Sequence, residues 1–385
     1  MKTNWKAIIL CLLLVIFLVG CVEQDIHKAR TAWIENQERD LLIAVAGRQN
    51  FLKEDTDFMK GVYMALDTVN SNNGINGRLL KILEKDDAAS VVQGTIIAQD
   101  LAKNPAVVAV IGHTSTHITL PVSTIYENAG MLLMSPIVSN VQITQRGHKY
   151  LFQNIVSDDE IGKEMALYAK SKDYKNIMIY YADNPYGRGL ANAFEDVAKE
   201  NGIKTIDRVS QFSSENEFQR ALQKWKALDM DAIFIADSIR TGKKFIMMLK
   251  ENDVNVPILG GDGLDANFIE ELGPAAEGAV IATLFNPEEN KPRLKKFIRD
   301  FKELYGHEPD VWAIQGYETI ELLTDAMGNA KTLLPQDIAK ELKSIASWEG
   351  IADDICFDEN GKVIGKSIYK KKVQDGKFYY IQELQ

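Results

Sequence analysis

Short runs of uninterrupted apolar residues alternate along this chain with longer stretches in which apolar residues repeat every three or four positions. The runs predict strands at Leu41–Ala46, Leu79–Leu83, Val107–Ile111 and Met131–Met134. Between them, Phe58, Val62, Ala65, Leu66 and Val69 mark one face of a helix, which Asn73-Gly74 and Asn76-Gly77 break. A second helix is expected over Val91–Lys103, and Ile118, Val122 and Ile125 mark a third. The rhythm restarts after Val156, with strands at Ile177–Tyr181, Ala232–Ala236, Pro257–Leu259 and Ala279–Leu284 and helices near 160–171, 187–201, 217–228 and 240–252. Strands that are apolar throughout must be covered on both faces, so the pattern is α/β with parallel sheets. Two such series make two domains, the expected number for a chain too long for one core. After Pro287 the pattern turns helical over Leu294–Tyr305, Val311–Asn329 and Pro335–Ile345. Asp358-Glu359-Asn360-Gly361 and Gln374-Asp375-Gly376 then signal two hairpins.

The N-terminus has a different character. Lys2 and Lys6 precede an unbroken apolar run from Ala7 to Val19, a charged n-region and an h-region of secretory length. The run is too short to span a bilayer comfortably, and no later segment is long and apolar enough to do so. It ends in Leu18-Val19-Gly20-Cys21, which resembles the bacterial lipobox. That resemblance implies a removable signal over 1–20 and diacylglycerol on the Cys21 thiol. One acyl chain binds membranes only marginally, so a stable anchor needs two or more. Val22–Asp40 is polar apart from Trp33-Ile34 and is expected to be a tether with a short helical turn.

Charge and cysteine content narrow the function. The chain carries a net charge of −10, and loss of Lys2 and Lys6 with the signal takes it to −12. An acidic balance argues against nucleic acid as a partner. Cys11 leaves with the signal and Cys21 carries lipid, so Cys356 has no cysteine to pair with and is expected to be a small buried hydrophobe.

Three chemistries can be weighed and set aside. Gly261-Asp262-Gly263-Leu264-Asp265-Ala266 formally satisfies a dinucleotide fingerprint, but a lipoprotein outside the membrane has little access to nicotinamide, and no cofactor is expected. His113 and His117 are spaced for a helical metal pair, yet His113 closes a strand and no third ligand clusters with them. No serine sits in a nucleophile elbow, and Cys356 has no histidine near it in sequence, so nothing compels an enzyme. The informative polar residues are those just past strand ends, where open parallel sheets bind ligands. Ser115 and Thr116 follow one strand at a helix start that suits an anion, although a plain N-cap explains them as well. Ser139 follows another strand, and Tyr186, Ser238 and Asp262 follow strands of the second series. Among these, Asp262 alone is an acid able to pair with an ammonium group.

The stretch from Val110 through His113-Thr114-Ser115-Thr116 to Thr144-Gln145-Arg146-Gly147 resembles the periplasmic binding proteins of the leucine/isoleucine/valine type. So do Asp183–Leu190, Ala275–Gly278, Tyr317–Ala326 and Phe357–Gly361, in matching order and spacing from about Asp40 to the C-terminus. The resemblance implies two Rossmann-like lobes joined by a three-strand hinge, with lobe 1 formed by 41–155 plus 286–368 and lobe 2 by 156–285 plus 369–385. It also implies an extracytoplasmic, lipid-anchored receptor that binds a small amino acid or related zwitterion and serves an ABC permease and ATPase. By position, Thr116 and the Ile137 backbone fall on the carboxylate side, Ser139 is shared, and Tyr186 and Asp262 fall on the ammonium side. Thr116 stands where serine is common, Asp262 where glutamate is, and Ser238 where an aromatic wall often stands. The lost wall leaves an amide, urea, aromatic or organic acid as alternative solutes, or sensing without transport. The charged first loop, Arg48–Asp57, aligns poorly with the family and leaves the side-chain end of the pocket unread.

Overall fold

The computed structural model describes residues 26–36, 38–265 and 267–381. The expected signal and Cys21 lie outside the described residues. The polar stretch before the first strand is not a free tether along its length. Residues 26–35 form a helix, α1, with Arg30 and Ile34 buried against the neighbouring fold. Only one of its faces carried apolar residues, and two arginines, described below, supply the rest of the docking.

The first sheet is built from β1 (Leu41–Gly47), α2 (Phe58–Ser71), β2 (Leu80–Asp86), α3 (Val91–Lys103), β3 (Val107–Gly112), α4 (Thr116–Asn128), β4 (Leu133–Ser135) and β5 (Leu151–Gln153). Its order is β2-β1-β3-β4-β5, parallel throughout. Every residue of the central strand β3 is buried, as its unmixed apolar sequence requires. The second series runs α5 (Asp158–Ser171), β6 (Asn176–Tyr181), α6 (Pro185–Glu200), β7 (Lys204–Val209), α7 (Glu215–Ala227), β8 (Ala232–Ala236), α8 (Ile239–Glu251), β9 (Ile258–Gly260), α9 (Phe268–Leu272) and β10 (Val280–Thr283). Two strands escape the sequence pattern. β5 has only three residues, and the edge strand β7 presents Lys204, Asp207 and Arg208 among few apolar residues.

The chain then returns to the first lobe as α10 (Pro292–Tyr305), α11 (Val311–Asn329) and α12 (Pro335–Ser344), followed by β11 (Trp348–Glu349), β12 (Asp354–Phe357) and β13 (Val363–Ile364). Cys356 sits in β12, half-buried rather than fully buried. The last hairpin, β14 (Tyr369–Gln374) and β15 (Lys377–Tyr380), joins the second sheet, with β14 antiparallel to β10. Its two-residue turn, Asp375-Gly376, has φ of +52° and +69°, the left-handed pair that matches strand twist. The second sheet therefore reads β15-β14-β10-β9-β8-β6-β7. The chain passes between the two sheets three times, at residues 154–157, 284–291 and 365–368. No helix among the described residues is long and apolar enough to cross a membrane.

Helices α2 and α11 approach so closely that side chains are excluded where they meet. A Cβ on Gly61 would lie 1.9 Å from the Ala313 carbonyl oxygen, and one on Gly316 would lie 2.3 Å from that of Phe58. Both obstacles are backbone, which cannot swing aside. Gly61→Ala is therefore expected to destabilise the protein by about 1–3 kcal/mol through overpacking, despite alanine's better helix propensity. A urea titration that finds Gly61→Ala as stable as the parent would contradict this packing.

Candidate functional site

The six polar residues singled out beyond strand ends, together with Ile137, line one cavity of about 340 Å³ between the carboxyl ends of the two sheets. Ser115 and Thr116 open α4 directly after β3, and Ile137 and Ser139 follow β4. Facing them, Tyr186 lies in the first turn of α6, Ser238 is the N-cap of α8, and Asp262 follows β9. The first-lobe side is rich in donors. The opening amides of α4 lack intrahelical acceptors, the helix end is positive, and the Ser115 hydroxyl is buried without a protein partner.

The opposite side is acidic. Asp262 Oδ1 accepts a hydrogen bond from the Tyr186 hydroxyl at 2.9 Å, and the Gly263 N–H donates to that hydroxyl at 3.0 Å. Burial raises the Asp262 carboxyl to about 6; the Tyr186 bond opposes the shift and the charge of Asp265 adds to it. The same burial, with Asp262 beside it, pushes the Tyr186 phenol well above its ordinary range. The glycines of the 261–265 loop serve this arrangement. A Cβ at Gly263 would lie 2.5 Å from the Tyr186 oxygen, so the fingerprint-like spacing here makes room for a tyrosine.

A second carboxylate in this loop makes an instructive comparison. Asp265 is also buried, but it is ion-paired with Lys371 and accepts a 2.5 Å bond from the Thr283 hydroxyl. Asp262, three residues earlier, has no basic side chain within ion-pair distance among the described residues. The same holds for Asp158, an acid that sequence reasoning missed. It is buried at the start of α5, where it accepts from Asn140 Nδ2 at 3.2 Å. Burial pushes its pKa well up, hydrogen bonds from Ser139 and Asn140 oppose this, and Asp262 raises it further. In the sequence, Asp158-Asp159-Glu160 reads as the ordinary acidic first turn of a helix, which hides the buried member.

Other lining residues could not be placed from the sequence. Phe51 and Trp312 pack edge-to-face at 5.2 Å, joining the poorly aligned first loop to the start of α11. Arg48 pairs with Asp55 at 2.8 Å in the same loop. The two lobes touch directly where Asn267 Nδ2 donates to the Asp55 carbonyl at 3.2 Å and Asn140 Nδ2 donates to that of Pro185 at 2.9 Å. His113 faces away from any shared ligand with the exposed His117. Its ring nitrogens meet Asp87 at 2.8 Å and Tyr126 at 3.3 Å, and it is buried.

Comparison with known proteins agrees with this architecture. The Leu/Ile/Val-binding protein homolog 1 of Brucella suis is 29% identical over 331 residues, covering 84% of this chain and 88% of its own length. Among solved structures, an ABC transporter substrate-binding protein of Desulfitobacterium hafniense in complex with Leu is 34% identical, with a TM-score of 0.82 over 89% of this chain and 100% of that one. A leucine-binding protein of Thermotoga maritima is 26% identical, with a TM-score of 0.79 over 89% and 98% of the two chains. The family model for periplasmic binding proteins matches residues 53–377. The chain belongs to the periplasmic binding protein family, as a solute-binding protein of the extracytoplasmic space and not an enzyme.

Proposed function

We propose that this protein is the lipid-anchored receptor of an ABC importer and binds an α-amino acid between its lobes. One observation carries the solute class. Asp262, a buried carboxylate without a basic partner among the described residues, faces a hydroxyl- and amide-rich helix start across the same cavity. An ammonium group satisfies the first pole and a carboxylate the second, so a zwitterion neutralises what the protein leaves open. In this reading Thr116, Ser115 and the Ile137 backbone hold the carboxylate. Ser139 is shared, while Tyr186 and Asp262 hold the ammonium, and Ser238 borders the solute's side chain. Lobe 1 (41–155 plus 286–368) receives the solute, and lobe 2 (156–285 plus 369–385) closes on it. The names of the similar proteins make leucine, isoleucine and valine the first solutes to try. Signal removal after Gly20 and lipidation of Cys21 would hold the receptor beside its permease and ATPase.

Asp262→Asn is expected to weaken amino-acid binding a hundredfold or more, because leaving a buried charge unpaired costs roughly 3–5 kcal/mol. Isothermal titration calorimetry reads this directly; affinity retained within tenfold would sink the amino-acid reading. Binding requires ionised Asp262, so affinity for the ammonium should fall by up to about tenfold per unit as pH drops below about 6. A pH-independent dissociation constant between about pH 7 and pH 5 would contradict the assigned pole.

Stability should move the other way with pH. In the solute-free protein, Asp262 holds its proton up to about 6, whereas the ordinary carboxyl value is 3.8. The native state then binds more protons than the unfolded chain between those values. Its stability from this group falls as pH rises through the window, by at most about 1.4 kcal/mol per unit. In urea titrations, the stability of Asp262→Asn relative to the parent should therefore rise from about pH 4 to pH 7. A flat difference would show that Asp262 titrates as an ordinary carboxylate.

A further inference from the structure

Helix α1 is stapled to the first lobe by two buried arginines whose hydrogen-bond acceptors are all backbone carbonyls. Arg30, from α1 itself, reaches the carbonyls of Ala102 at 2.9 Å and Asn104 at 3.3 Å, where α3 ends and β3 is about to begin. Arg78, just ahead of β2, reaches back to Ile34 at 2.8 Å and to Arg39 at 3.0 and 2.6 Å. Arg30 and Arg78 are 1% and 4% exposed, and their bonds to Ala102 and Ile34 are made away from competing water. A guanidinium on the last carbonyls of a helix also meets the negative end of its dipole. Trp33 adds a bond from Nε1 to the Asp40 carbonyl at 2.9 Å, beneath the Arg39 guanidinium at 4.3 Å from its ring. All these contacts lie at the amino ends of β1, β2 and β3. The solute cavity lies past the carboxyl ends of the same sheet, about 20 Å away for strands of six or seven residues.

The staple changes the length of chain available for anchoring. From Cys21 to the start of β1, an undocked chain of some twenty residues could extend about 65 Å. With α1 docked, five steps separate Cys21 from residue 26, and they span at most about 17 Å. We propose that, in the receptor not engaged with its permease, the amino-end pole of lobe 1, around α1 and the α3–β3 turn, is a membrane-facing surface that holds lipid headgroups within about 17 Å, with the cleft and lobe 2 standing away from the bilayer. The occupant is the lipid surface bearing the Cys21 acyl chains, so this inference rests on the lipid-anchor reading above. Lobe 1 is then the fixed half, and closure is a movement of lobe 2 on the side remote from the membrane.

The test uses the full-length lipidated chain in vesicles of phosphatidylethanolamine and phosphatidylglycerol that carry a headgroup acceptor dye. In a Cys356→Ser background, a donor is attached at Lys103→Cys, beside the α3–β3 turn, or at Lys226→Cys in α7 of the second lobe; both lysines are exposed. Energy transfer should be several-fold stronger from position 103 than from 226, and equal or reversed transfer would overturn the proposal. Arg30→Ala should release α1, lengthen the tether and bring the position-103 signal down towards that of 226. An undiminished signal would show that the staple does not set the distance. Cys21→Ser should stay in the soluble fraction. If it partitions into vesicles like the parent, or if the parent fails to partition, the lipid-anchor reading itself falls, and this inference with it.

Discussion

The carboxylate of Asp262 has no cation of its own, and the arrangement of the cleft follows from that deficit. Placing an acid in a closed, poorly hydrated space is costly unless a counter-charge arrives. The same loop shows how the protein handles an acid that it neutralises internally, since Asp265 is tied to Lys371 and Thr283. Asp262 receives only the Tyr186 hydroxyl, a neutral donor that orients the carboxylate without cancelling its charge. Asp158, a second buried acid, lies close enough to feel the charge of Asp262. The donors that complement a negatively charged group belong to the other lobe, at the start of α4. Neither lobe carries both poles in full, so the cavity has both only where the lobes meet.

The parts of this molecule that were legible in the sequence are those decided by local pattern. β3 reads as Val-Val-Ala-Val-Ile-Gly and is buried at every position, because a strand covered on both faces has no polar side to display. Ser115, Ser139, Tyr186, Ser238 and Asp262 could be found because strand ends in a parallel sheet face one way, and the chain reaches each end in a countable order. What stayed hidden depends on partners distant in sequence. Phe51 meets Trp312 only once α11 has crossed α2. Asp158 looks like a solvated helix-start acid until Ser139 and Asn140 enclose it. β7 was lost because an edge strand carries charges that blur its period. α1 was read as tether because its burial is done largely by Arg30 and Arg78, residue types that ordinarily mark a surface.

Two of the three crossings between the sheets are held from the side by ion pairs of unequal burial. Lys366 in the last crossing is almost fully buried against Glu318, 2.7 Å away on α11, and also donates to Gln315 Oε1 at 2.7 Å. Lys291 in the second crossing reaches Asp353 at 3.2 Å, and Asp353 also accepts from Ser367 in the third. The second and third crossings are thereby tied to each other through one acceptor, Asp353.

The β14–β15 hairpin covers an edge of the second sheet with residues that follow β10 only after α10 to β13 have intervened. Until those residues emerge, β10 presents an unpaired backbone edge, the sort of surface on which chains join one another. The lobe that carries Tyr186 and Asp262 therefore completes its sheet only after α10, α11 and α12 of the other lobe have been made. Lobe 1, by contrast, has all five strands of its sheet by Gln153. Yet α2 meets its partner α11 only at Val311–Asn329, so the two halves interleave along the chain, and neither closes its core before strands of the other have been made.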